Sequence, residues 1–91
     1  MSNYQYPIDP DWTTEEIVMV IDFLNIVEQA YEASIMVERF DDQYQRFKEV
    51  IPSISGQKKI DRQFEEVSGY SIYKLVQYRK SLTNEKKLSM K

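Results

Sequence analysis

Ninety-one residues with a formal net charge of −3, 42% apolar and 30% charged, make one globular domain and leave no room for a second. The chain has no cysteine and no histidine, which excludes disulfides, thiolate metal sites, Ser-His-Asp or Cys-His catalysis and His-ligated zinc. Met1 to Pro10 carries no Lys or Arg and no apolar stretch of signal-peptide length, so secretion is not expected, and the longest apolar run, Ile17 to Ile21, falls far short of the roughly 20 residues that span a bilayer.

Tyr4 to Trp12 reads Y-Q-Y-P-I-D-P-D-W. Pro7 and Pro10 bar a helix and push Tyr6 and Asp9 into extended geometry. Residues 1–12 are therefore expected to form an extended arm, and its aromatic content predicts that the arm packs on the domain. A helix then starts with Thr13 as N-cap, Glu16 completing a capping box, and Trp12 and Ile17 placed for a hydrophobic staple. From Thr14 to about Tyr31, Ile17, Val20, Ile21, Leu24, Val27 and Tyr31 make one apolar stripe, and Val18, Phe23, Ile26 and Ala30 a second. Only Asp22, Asn25, Gln29 and Glu32 form a polar strip, which predicts a first helix enclosed by its successors over most of its girth.

Ser34 is the expected cap of a second helix with the seam Val37, Phe40, Tyr44, Phe47 and Ile51, ending at Pro52. A single long bent helix fits the same letters. Ser53 to Gly56 is expected to be a loop. A third helix carries Ile60, Phe64 and Val67 inward and stops at Gly69, suited to the left-handed position after a helix end. Ser71 caps a fourth, with Ile72, Leu75, Val76 and Leu82 turned inward, and residues 83–91 are expected to fray.

Charge is unevenly spread along this chain. Residues 1–69 hold 14 acidic and 6 basic side chains, whereas residues 70–91 hold 1 acidic and 6 basic. Lys74, Arg79, Lys80, Lys86, Lys87 and Lys91 call for an acidic counterpart, most simply the chain's own acidic surface. Two helices joined through Gly69 also have the layout of a helix-turn-helix over 60–82, in which Lys74 and Gln77 would read bases and Arg79 and Lys80 would meet phosphates. Glu65, Glu66 and the acidic body oppose that reading.

Asp9, Asp11, Glu15 and Glu16 match no metal loop and favour the helix start instead. Asp41 and Asp42, flanked by Arg39 and Arg46, read as a solvated face. Tyr31 and Tyr44 fall on core seams. Tyr4, Tyr6, Tyr70, Tyr73 and Tyr78, with Trp12, are the aromatics placed to reach solvent and a partner.

Four segments in order carry a resemblance: Y-Q-Y-P-I-D-P-D-W-T-T-E-E-I, the V-E-Q-A-Y-E around Glu28, R-F-K-E-V-I-P-S, and S-G-Y-S. From about Tyr4 to Lys80 the chain resembles the short bacterial proteins grouped as uncharacterised protein family 0223. The resemblance implies a small irregular array of helices from low-GC Gram-positive bacteria and supplies no catalytic residue. The resemblance implies a glycine ahead of the second helix, where this chain has Ser34.

The expectation is an all-α single domain, 1–91, of about four helices around a central first helix. Its function is expected to be that of a cytoplasmic protein-interaction or regulatory adaptor domain, not an enzyme, with no cofactor, no metal and no membrane contact. The alternative is a nucleic-acid-binding protein using the pair at 60–82, and an enzyme relying on carboxylates, Lys and Tyr comes third. The candidate surface is Tyr70, Tyr73, Lys74, Gln77, Tyr78, Arg79 and Lys80, facing another protein.

Overall fold

The computed structural model describes residues 4–91, which run in the order α1 (Thr14–Glu32), β1 (Ile35–Met36), α2 (Val37–Val50), α3 (Ile54–Ser68), α4 (Ile72–Ser81) and β2 (Lys87–Leu88). The architecture is all-α, as the periodicity predicts, with one two-stranded bridge added. The Cα radius of gyration is 12.5 Å, close to the ~12 Å of a single domain this long.

Local chemistry sets the start of α1. The Thr13 hydroxyl accepts from the Glu16 amide at 3.1 Å, and the Glu16 carboxylate accepts from the Thr13 amide at 2.8 Å, so two N–H groups without helical partners are satisfied reciprocally. Along α1, Val20, Phe23, Leu24, Ile26, Val27 and Ala30 are all buried, while Asp22, Asn25, Gln29 and Glu32 lie exposed as the predicted strip. Phe23 anchors the contact with α2: its ring stacks on Phe47 at 4.6 Å and Tyr44 at 5.7 Å, and lies 5.9 Å from Phe40. Val18 departs from the predicted stripe and stands in solvent at 51% exposure.

The arm packs back on the domain. The Tyr4 and Tyr6 rings meet Phe64 of α3 at 6.3 and 6.2 Å. The Tyr4 hydroxyl donates to Glu28, and the Tyr6 hydroxyl lies 2.7 Å from Asn25 Oδ1 and 2.8 Å from Glu28 Oε1. These two half-buried tyrosines bridge α1 and α3. The first three residues of the arm lie outside the described residues.

Three boundaries differ from expectation. Ser34 does not cap α2; the cap position belongs to Met36, which makes no side-chain cap bond. Ile35 and Met36 instead extend to pair antiparallel with Leu88 and Lys87. No described residue other than Gly69 has a positive φ, so the chain turns at Ser34 without the geometry that asks for glycine. Residues 53–56 are not a loop, because the Ser53 side chain accepts from the Gly56 amide and α3 begins at Ile54. Gly56 is needed for close approach: a Cβ there would meet Ser53 Oγ at 2.7 Å and Ile51 Cγ2 at 2.8 Å.

The third correction concerns residues 83–91. Leu88 is 0% exposed within the core, the Val37 amide donates to Lys86, and the Met90 amide donates to Ala30, each at 2.8 Å. Burying one leucine and completing main-chain bonds opposes the entropy that would fray the segment. Gly69 takes the left-handed φ of 80° expected of it, and Ser71 caps α4 by accepting from Lys74. Val67, assigned to the core face by spacing, is 42% exposed.

Among the described residues, no helix is long and apolar enough to cross a membrane.

Candidate docking groove on the third and fourth helices

The seven residues singled out from the sequence divide into three groups. Tyr70 is the first: its ring stacks on Tyr31 at 4.7 Å and its hydroxyl donates to Glu32 at 2.7 Å. The Tyr31 hydroxyl in turn donates to the Ser71 carbonyl at 2.8 Å. This pair fastens the end of α1 to the turn before α4, and Tyr70 is thereby a structural clamp. Arg79, the second group, forms a two-pronged pair with Asp41, with Nε and one terminal nitrogen each 2.8 Å from a carboxylate oxygen. It ties α4 to α2, so part of the basic C-terminal segment answers the chain's own acid, as the charge pattern predicts. Asp42 and Arg46 form a 3.4 Å surface pair at i and i+4, the other half of the solvated face expected at that helix.

The remaining five are exposed on α4. Tyr73, Gln77 and Lys80, at i, i+4 and i+7, share one side of the helix and border a groove of about 190 Å³. Lys74 and Tyr78 do not line it. Across the groove stands a matching row from α3, Ile54, Lys58 and Asp61, at the same spacing. Phe47, Ile72 and Val76 form the floor. Ile54 and Tyr73 stand at the rim with 65% and 63% of their surface in water, an arrangement that leaves an apolar opening between two helices.

The electrostatics of this groove follow from what each charged group already holds. One Asp61 oxygen accepts from the Ile72 amide at 2.7 Å and the other from the Tyr73 amide at 3.2 Å. Its charge is thus committed to the positive end of α4. Gln57 donates its side-chain amide to the Ile51 carbonyl at 2.8 Å. Lys58 and Lys80 form no ion pair among the described residues. The groove is therefore apolar at its base and cationic at its margins.

Sequence reasoning missed the α3 half, Ile54, Lys58 and Asp61. The signal was available in Ser53, which can cap a helix as well as occupy a loop; from that start the three residues fall on one face.

The acidic residues near the N-terminus bring no ligand set together. Asp9 accepts from the Asp11 amide at 2.9 Å and Glu16 completes the capping box. Among the described residues, no three acidic side chains converge as metal ligands do.

Burial pushes the Tyr31 and Tyr44 phenols above their ordinary value of 10.0, and the hydrogen bond to Glu32 does the same for Tyr70. The folded chain holds these protons more tightly than the unfolded chain, so their contribution is complete below pH 10 and is lost as pH rises through the folded values. Urea midpoints measured between about pH 8 and 11 should fall above pH 10. A midpoint that stays level across that window would contradict the tyrosine contacts described.

The chain matches the model of the uncharacterised protein family UPF0223 over residues 3–88. A UPF0223 protein of Bacillus mycoides is 45% identical over 87 residues, covering 96% of this chain and 98% of that relative. One from Streptococcus agalactiae is 53% identical over 75 residues, covering 82% and 81%. One from Listeria monocytogenes is 46% identical over 83 residues, covering 91% and 92%. The match takes in every helix and the strand that closes the fold, and the chain belongs to the UPF0223 family.

Proposed function

We propose that this domain is a cytoplasmic interaction or regulatory adaptor module, without catalytic activity of its own, that docks another protein in the groove between α3 and α4. The observation that carries the reading is the apolar opening between Ile54 and Tyr73, flanked by two lysines that form no ion pair among the described residues. Exposed aromatic and aliphatic side chains beside uncommitted charge are the usual composition of a docking centre and its rim.

The nucleic-acid alternative meets a specific obstacle. The start of α4, where a recognition helix would approach phosphate or bases, already has Asp61 bonded to its amides, and Arg79 is held by Asp41. A phosphate would have to approach a carboxylate.

The test is a photo-crosslinking amino acid placed at position 73 or 77, and at position 29 on the polar strip of α1, in the full chain expressed in a Gram-positive host. Adducts of defined mass to protein are expected at 73 and 77 and not at 29. Equal adducts at all three positions, or none at 73 and 77, would overturn the reading. Recovery of nucleic acid at 73 and 77 would replace it with the alternative.

A further inference from the structure

We infer that the segment received by this groove is an acidic amphipathic helix of a partner protein. Its apolar side chains enter between Ile54 and Tyr73, and its carboxylates pair with Lys58 and Lys80. The inference rests on the docking reading above and adds the chemistry of the partner.

Three observations select that chemistry. The first is charge: Lys58 and Lys80 border the groove from opposite helices without an ion pair among the described residues, while the one carboxylate present, Asp61, is bonded to two amides. A partner bearing carboxylates meets complementary potential, and one bearing lysines meets like charge. The second is the lack of a strand edge in the groove. The two-stranded bridge does not line it, and the Ile72 and Tyr73 amides are already occupied by Asp61. Recognition here works through side chains, which favours a helix over an added strand. The third is shape, because the groove runs between two helices with its apolar residues at helical spacing, matching anchors at i, i+3 and i+4.

A second copy of this chain fits less well, since the exposed strip of α1, with Asp22, Asn25, Gln29 and Glu32, carries a single exposed apolar side chain, Val18, and not a row of anchors.

The experiment selects short helix-forming peptides of random sequence, displayed on yeast, against the full chain, and counter-screens them on Tyr73→Ala. Binders that depend on Tyr73 are expected to be net negative with aliphatic or aromatic residues at helical spacing. They should lose at least about tenfold in affinity on the Lys58→Glu, Lys80→Glu double variant and recover it when their own carboxylates are changed to lysine. Circular dichroism of each variant checks that it remains folded. Tyr73-dependent binders that are neutral or basic, or that ignore the charge reversal, would overturn the acidic-helix inference and leave the docking reading standing. Failure to select any Tyr73-dependent binder would also overturn it. Only if crosslinks at 73 and 77 are missing as well does the docking reading fall. Sedimentation showing a dimer abolished by Tyr73→Ala would overturn the inference in favour of a second copy.

Discussion

Phe23→Ala is expected to lower the unfolding free energy by about 3–5 kcal/mol, the loss typical of a buried phenylalanine truncated to alanine. The side chain is 0% exposed and touches three aromatic rings of α2. Removal therefore opens a cavity between the two helices as well as losing transferred apolar surface. A domain of this length has a total stability on the order of 5–14 kcal/mol, so the variant is expected to melt on the order of 20 °C below the parent. Urea denaturation followed by circular dichroism checks the value. A loss below about 1 kcal/mol would mean that α1 is not enclosed as described.

Leu88→Ala has the second largest expected effect, about 2–5 kcal/mol. Leu88 is fully enclosed although it lies only three residues from the C-terminal Lys91. It reaches that position because β2 pairs with β1, and the Met90 amide continues the attachment to Ala30. Lys86→Ala in the same measurement serves as control and should change stability by no more than about 0.5 kcal/mol, its side chain being on the surface. Equal, negligible losses for both variants would restore the frayed end expected from sequence.

That last segment shows where sequence reasoning stops. The features fixed within a few residues were readable: Thr13 with Glu16, Gly69, Ser71, and the periodic burial of Phe23, Val27, Phe40 and Phe47. Each depends on a local hydrogen bond or on helical spacing. The pairing of Ile35 with Leu88 joins positions more than fifty residues apart, and two-residue strands carry no alternation to detect. Polar T-N-E-K-K before Leu88 lowers the apparent hydrophobicity of the whole stretch, so one buried leucine and a few main-chain bonds go unseen.

The candidate surface was legible in part for the same reason. Tyr73 and Tyr78 are both tyrosines on α4 that reach solvent, yet Tyr70, three residues earlier, is held by Tyr31 and Glu32. Arg79 and Lys80 are adjacent and both basic, but only Arg79 meets Asp41, 38 positions away. Residue type states what a side chain can do, and the fold decides which of them already have a partner. Once those are set aside, five remain, of which Tyr73, Gln77 and Lys80 line the groove that the α3 row opposite them completes.

The groove depends on a closed interior: α1 buries Val20, Phe23, Leu24, Ile26, Val27 and Ala30 in the core that it shares with the later elements, and the outer faces of α3 and α4 stay open for recognition. Native-state hydrogen exchange measures that closure residue by residue. The amides from Val20 to Ala30 are expected to exchange only through global unfolding, with the Val37 and Met90 amides, bonded to Lys86 and Ala30, protected alongside them. Exchange of the α1 amides through local opening, well below the global unfolding free energy, would contradict that closure.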